Sequence, residues 1–210
     1  DKHSRSVKVI GNTEQFDKMA LRYDSPERIQ IANIIAEAMR DKITVGERVK
    51  AMDFGCGTGL IGLNLHDEFD EWVFVDASKE ILKQVDEKLA VLSINARTLQ
   101  IDLENTTAEQ ERFSCIVMSQ VLLHIQDYQS VLKKLLDLLA PGGQLLIADF
   151  DENPNVQSDL VHPGFDRSKL ASGLEDLGLE EVAAEIIYQA DNLFMKQRAA
   201  LFLMSGFKQA

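Results

Sequence analysis

Short apolar runs alternate with amphipathic helical stretches along most of the chain. Residues 49–54, 72–75, 96–101, 115–118 and 145–148 read as strands, and the most apolar of them suit burial on both faces. Helical spacing fills the intervals. After Ser25-Pro26, Ile31, Ile34, Ile35, Ala38 and Met39 share one face; Ser suits an N-cap and Pro the first helical position. Residues 60–69 form a second helix, and Ser78 caps a third that carries Ile81, Leu82, Val85 and Leu89. Tyr128, Val131, Leu132, Leu135, Leu136 and Leu139 mark a strongly amphipathic fourth, ended by Pro141-Gly142-Gly143. This alternation predicts an α/β domain whose parallel sheet has helices on both faces.

The pattern changes after Phe150. Residues 151–166 are polar and contain Pro154, Pro163 and Gly164, which predicts a loop lying over a site. A helix is expected at 168–177, then strands at 184–188 and 200–207. Residues 189–198 leave little room for a helical crossover, so the last two strands are expected to pair antiparallel.

The length of 210 residues suits one domain with a sizeable core. An apolar fraction of 45% and a charged fraction of 27% are those of an ordinary soluble globule. A net charge of −12 disfavours nucleic acid and anionic membrane surfaces as partners. The only cysteines, Cys56 and Cys115, form no CxxC pair, which fits a reducing compartment and offers no zinc site. No apolar run approaches the roughly 18 residues that span a bilayer, and Asp1-Lys-His-Ser-Arg-Ser has no apolar signal core. The expected location is the cytoplasm.

The candidate chemistry lies in Ala51-Met-Asp-Phe-Gly-Cys-Gly-Thr-Gly59, which joins the first strand to the second helix. Its glycines allow a tight turn and close approach of a ligand, at the carboxyl end of a parallel strand where open α/β sheets bind ligands. A plain tight turn is the alternative. Gly57-Thr-Gly59-Leu-Ile-Gly62 is a literal GxGxxG, yet it starts two residues late for a dinucleotide fingerprint. In the earlier register Leu60 replaces the third glycine. Asp76, at the end of the second strand, can accept from ribose hydroxyls in either register. A nucleoside-bearing ligand is therefore expected, and a nicotinamide-dependent oxidoreductase stays a rival.

Asp53-Phe-Gly-Cys-Gly-Thr-Gly59 resembles the first motif of class I S-adenosylmethionine-dependent methyltransferases. Phe74-Val75-Asp76-Ala77-Ser78 is similar to their second-strand acidic motif, and Gln100-Ile101-Asp102-Leu103 to the third. Phe113 to Ser119 with Gln120-Val121-Leu122-Leu123-His124 resembles the fourth, and Leu138 to Leu146 the turn and fifth strand. Phe16-Asp-Lys-Met-Ala-Leu-Arg-Tyr-Asp24 looks like the N-terminal cap of small-molecule members.

The resemblance implies a Rossmann-like, mostly parallel seven-stranded sheet with an antiparallel C-terminal edge pair. It also implies a helical cap over residues 1–40 and a cofactor domain over 41–210. By the same carry-over, Gly55 and Gly57 border the methionine and ribose of S-adenosyl-L-methionine, with Cys56 between them as a small turn residue. Asp53 faces the methionine amino group. Asp76, followed by Ala77, takes the ribose. Asp102 reaches the adenine amino group with Leu103 against the ring, Ser119 lies near the cofactor, and Tyr23 covers it.

The implied reaction is metal-independent methyl transfer to a small-molecule acceptor by in-line attack. Of the histidines, His124 and His162 are the candidates for a general base, because imidazole titrates near neutrality. The fourth motif lacks the Asn- or Asp-Pro-Pro-aromatic signature of amino-methylating DNA enzymes, and Ser119 is a poor magnesium ligand. A module that holds the cofactor without transferring methyl is the second rival.

Overall fold

A computed structural model describes residues 15, 17–103 and 111–210. Phe16 of the expected cap motif, and His3, lie outside the described residues. Residues 17–23 are helical and lead into α1 (Pro26–Lys42). Ser25 Oγ accepts from the Arg28 N–H, Pro26 opens the helix, and Arg40 and Lys42 stand in its last turn. Ala32, Ile35, Ala36 and Met39 form its buried stripe, while Ile31, Ile34 and Ala38 are half-buried at its margin.

The elements that follow are β1 (Lys50–Phe54), α2 (Leu60–Asn64), β2 (Glu71–Asp76), α3 (Lys79–Val91) and β3 (Ala96–Gln100). Then come β4 (Phe113–Ser119), α4 (Tyr128–Leu138), β5 (Leu139–Phe150), α5 (Arg167–Asp176), β6 (Leu179–Phe194) and β7 (Gln197–Lys208). They build a seven-stranded sheet in the order β3-β2-β1-β4-β5-β7-β6. β1 to β5 are parallel, and β7 runs antiparallel to both β5 and β6. The expected α/β architecture and its antiparallel edge pair are both present. Trp72, Phe74, Phe113 and Phe202 are among the largest side chains fully enclosed in the core.

Three local expectations are corrected. The second helix stops at Asn64 rather than 69: Arg40 Nη2 donates to the Asn64 carbonyl, and His66–Glu68 continue as a 3-10 turn. Pro141-Gly142-Gly143 does not end α4 as a separate turn. Pairing with β4 already begins at Leu139 and shifts register across these residues, so they form an irregular stretch within β5. Residues 189–198 are not a connector: β6 and β7 extend through them to a two-residue turn at Met195-Lys196. Both turn residues have positive φ, 50° and 62°, the geometry that matches strand twist in short hairpins. This turn carries the hairpin tip to the end of the sheet where β1 to β5 finish.

Gln144, fully buried in β5, ties α1 to the sheet. Its Oε1 accepts from the Thr44 N–H at 3.1 Å and its Nε2 donates to the Lys42 carbonyl at 2.7 Å. No helix among the described residues is long and apolar enough to cross a membrane.

Candidate active site

The turn after β1 is set by its backbone. Gly55, Gly57 and Gly59 have φ of 65°, 54° and 82°, and the Cys56 N–H donates to the Val75 carbonyl of the neighbouring strand at 2.9 Å. A Cβ on Gly55 would lie 2.6 Å from Val121 Cγ2, so the position needs glycine for both space and φ. Gly62 is required for another reason: a Cβ there would stand 2.5 Å from the Phe74 ring. The late glycine of the literal GxGxxG thus serves helix–strand packing.

A cavity of about 530 Å³ opens beside this turn. Of the residues expected from sequence, Asp53, Gly55, Cys56, Gly57, Ser119 and His124 line it. Asp53 is enclosed, with its Oδ2 accepting from the Gly62 N–H at 3.0 Å. Burial pushes its carboxyl up to about 7; the Gly62 bond opposes this and the Asp76 charge adds to it. Cys56 is half-buried, and burial, with the Asp53 and Asp76 charges, pushes its thiol far above the ordinary range. It is no ready nucleophile. His124 ends the 3-10 turn Leu122–His124 and is exposed on the cavity wall.

Asp76, Ala77, Asp102, Leu103, Tyr23 and His162 do not line that cavity. Asp76 is half-buried beside the turn, where its two carboxylate oxygens accept from Gly57 N–H at 3.1 Å and Ser78 N–H at 2.9 Å. Ala77 is exposed, and its carbonyl accepts from Gln100 Nε2. Asp102 and Leu103 follow β3; Leu103 is buried, with its carbonyl bonded by Lys134. Tyr23 turns towards α3, where its hydroxyl meets Glu87. His162 Nε2 lies 2.7 Å from the Ile125 carbonyl, and its ring packs between Tyr128 and Phe165.

Other lining residues gave no sequence signal of a site. Arg28, Ile31 and Ile35 come from α1, Gln120 follows β4 with φ of 56°, and Leu193, Phe194 and Met195 arrive on the hairpin tip. Phe194 stacks on Phe150 at 4.2 Å. The loop expected over a site does reach it, through Val161. Arg28 has no carboxylate partner among the described residues, and among them no three His, Cys, Asp or Glu side chains are grouped to hold a metal ion.

Residues 51–143 match the family model described as a methyltransferase domain. The chain is similar to that family over less than half of its length. It is similar to an uncharacterized methyltransferase of Schizosaccharomyces pombe, 31% identical over 120 residues, which are 53% of this chain and 42% of that protein. The curated relatives are aligned over only 30% to 65% of their own lengths. In fold, the domain resembles Haemonchus contortus phosphoethanolamine N-methyltransferase 2, solved with S-adenosyl-L-methionine. The TM-score is 0.69 at 13% identity, covering 83% of this chain and 52% of that one. It also resembles the [4+2]-cyclase SpnF, with a TM-score of 0.69 at 14% identity over 87% of this chain and 82% of that one. A methyltransferase fold therefore accompanies more than one reaction, and the site must carry the functional reading.

Proposed function

We propose that the chain binds S-adenosyl-L-methionine against the turn after β1 and transfers its methyl group to a small-molecule acceptor. One observation carries this reading. The cavity offers a buried carboxyl, Asp53, with no cation against it among the described residues, and a guanidinium, Arg28, without a carboxylate among them. Together they complement the ammonium and carboxylate of an amino-acid end, which S-adenosylmethionine has and a nicotinamide dinucleotide lacks. In this reading Asp76, pinned beside Gly57, takes the ribose, with Ala77 next to it. Asp102 and Leu103, at the adjoining strand end, take the adenine.

When bound, the cofactor supplies a methyl group already activated by its sulfonium charge. An acceptor lone pair forms the new bond to carbon as the carbon–sulfur bond breaks towards sulfur, which requires no metal. The residues bind, orient and exclude water. Positioning of this kind contributes on the order of 7–11 kcal/mol. Ile31, Ile35, Leu123, Val161 and Phe194 form an apolar wall suited to the body of a small acceptor. His124, which lines the same cavity, takes the proton of a hydroxyl acceptor in this reading. His162, packed between aromatic rings and bonded to a carbonyl, orders the covering loop instead.

The reading is tested by incubating the protein with methyl-labelled S-adenosylmethionine and a panel of small phenols, amines and thiols. Label should move to one acceptor class with stoichiometric release of S-adenosylhomocysteine. Tight binding without transfer to any member would assign the chain to cofactor-holding modules.

A further inference from the structure

Behind the glycine turn lies a cluster that neither end of the proposed site uses. Lys88, on α3, is fully buried. Its Nζ donates to the Thr58 carbonyl at 2.5 Å and stands 3.4 Å from Asp24 Oδ2, whose side chain is only 1% exposed. Thr58 Oγ1 closes the triangle by donating to Asp24 Oδ1 at 2.7 Å. The Tyr23 ring lies 5.4 Å from the ammonium, and its hydroxyl bonds Glu87, the residue before Lys88. Three segments distant in sequence thus converge on one ammonium: residues 17–24, the glycine turn and α3.

Lysine is almost never fully buried unless paired, and removing its charge from water costs several kcal/mol. Packing alone would be served by an apolar side chain. Asp24 and Thr58 both line the cavity, so the cluster reaches the ligand space through two of its three members.

We propose that Lys88 is a positioning residue that couples ligand binding at the glycine turn to docking of residues 17–24. It does so by holding the Thr58 carbonyl on one side and the Asp24 carboxylate on the other. This rests on the cofactor reading above. Coupling is reciprocal: a ligand that gains affinity from the docked segment must restrain that segment by the same factor.

The test uses Lys88→Met, Asp24→Asn and the double variant. Lys88→Met leaves a buried carboxylate unpaired, so its Tm should fall; the double variant removes that charge and should recover most of the loss. S-adenosylhomocysteine affinity is measured by calorimetry, and amide exchange of residues 17–24 with and without the ligand. In the wild type the ligand should slow exchange in 17–24. The double variant, despite its recovered Tm, should bind about tenfold or more weakly, the worth of one charge-assisted hydrogen bond, and lose the ligand-dependent protection.

A double variant with recovered Tm, wild-type affinity and wild-type protection overturns the proposal and leaves the cluster as packing. Asp24→Asn covers the case in which both Lys88 variants unfold. It keeps the shape, replaces the carboxylate with a neutral amide and leaves the ammonium without its counter-charge, so undiminished protection in that variant overturns the proposal too. No binding by the wild type overturns the cofactor reading and this one with it. Wild-type binding with unaltered variants overturns this one alone.

Discussion

Replacing Asp53 with Asn removes one ionisable group from the floor of the cavity while keeping its shape and an acceptor for the Gly62 N–H. Burial raises this carboxyl from 3.8 to about 7, which corresponds to about 4 kcal/mol against its charged form. Below 3.8 the folded and unfolded chains both hold the proton. Between 3.8 and about 7 the native state holds it and the unfolded state does not, so stability falls as pH rises, and the loss is complete above about 7.

Asp149 adds a second slope of the same sign. It is fully buried; burial raises it to about 7, and the N–H groups of Phe150, Leu123 and Leu122 oppose the rise. Denaturant unfolding from pH 5 to pH 8 should therefore show stability declining in the wild type. In Asp53→Asn the decline should be about half as steep, because only the Asp149 part remains.

The ligand reverses the sign. An ammonium beside Asp53 favours the carboxylate, so binding of S-adenosylhomocysteine should release close to one proton at pH 6. Affinity should climb by up to about tenfold per pH unit below 7. Calorimetry in two buffers of different ionisation enthalpy reads the proton count directly. Proton uptake on binding, or an Asp53→Asn variant with the wild-type pH dependence, would refute the assignment of Asp53 to the amino group.

Three other outcomes follow from named contacts. Gly62→Ala places a methyl 2.5 Å from the Phe74 ring and should lower stability by about 1–3 kcal/mol in denaturant unfolding. Gln144→Leu strands the Thr44 N–H and the Lys42 carbonyl, and should cost about 2–4 kcal/mol, read as a lower denaturation midpoint with an unchanged slope. His124→Gln should slow transfer to a hydroxyl acceptor by about 10²–10⁴ and leave S-adenosylhomocysteine affinity unchanged; equal rates in the two proteins would remove His124 from proton transfer.

The fold was legible wherever periodicity and burial agree. β1, β2 and β4 are apolar runs because both faces are covered, and α3 and α4 show their buried stripes plainly. The hairpin was not legible to its full length. β6 is an exposed edge strand with mixed composition, and its turn uses Met195-Lys196 in left-handed conformation where Asn-Gly would have signalled it. Glu181 and Asn192, also at positive φ, sit where the pairing shifts register and break the two-residue alternation further.

In the site, the residues near the glycine turn could be located because a glycine cluster at a strand end has a backbone reason to exist. Arg28, Gln120 and Phe194 could not, because each reaches the cavity by tertiary placement from an ordinary-looking segment. Tyr23 shows the converse: its sequence context suggests a cover, and its hydroxyl faces Glu87.

The most direct test of the central claim is calorimetric titration of the protein with S-adenosylhomocysteine and, in parallel, NADH, repeated on Asp76→Ala. The account predicts that the wild type binds S-adenosylhomocysteine and not NADH. Asp76→Ala, which strips the Gly57 and Ser78 N–H groups of their acceptor and, on the proposed reading, the ribose of its partner, should weaken binding about tenfold or more. Binding of NADH without S-adenosylhomocysteine would contradict it.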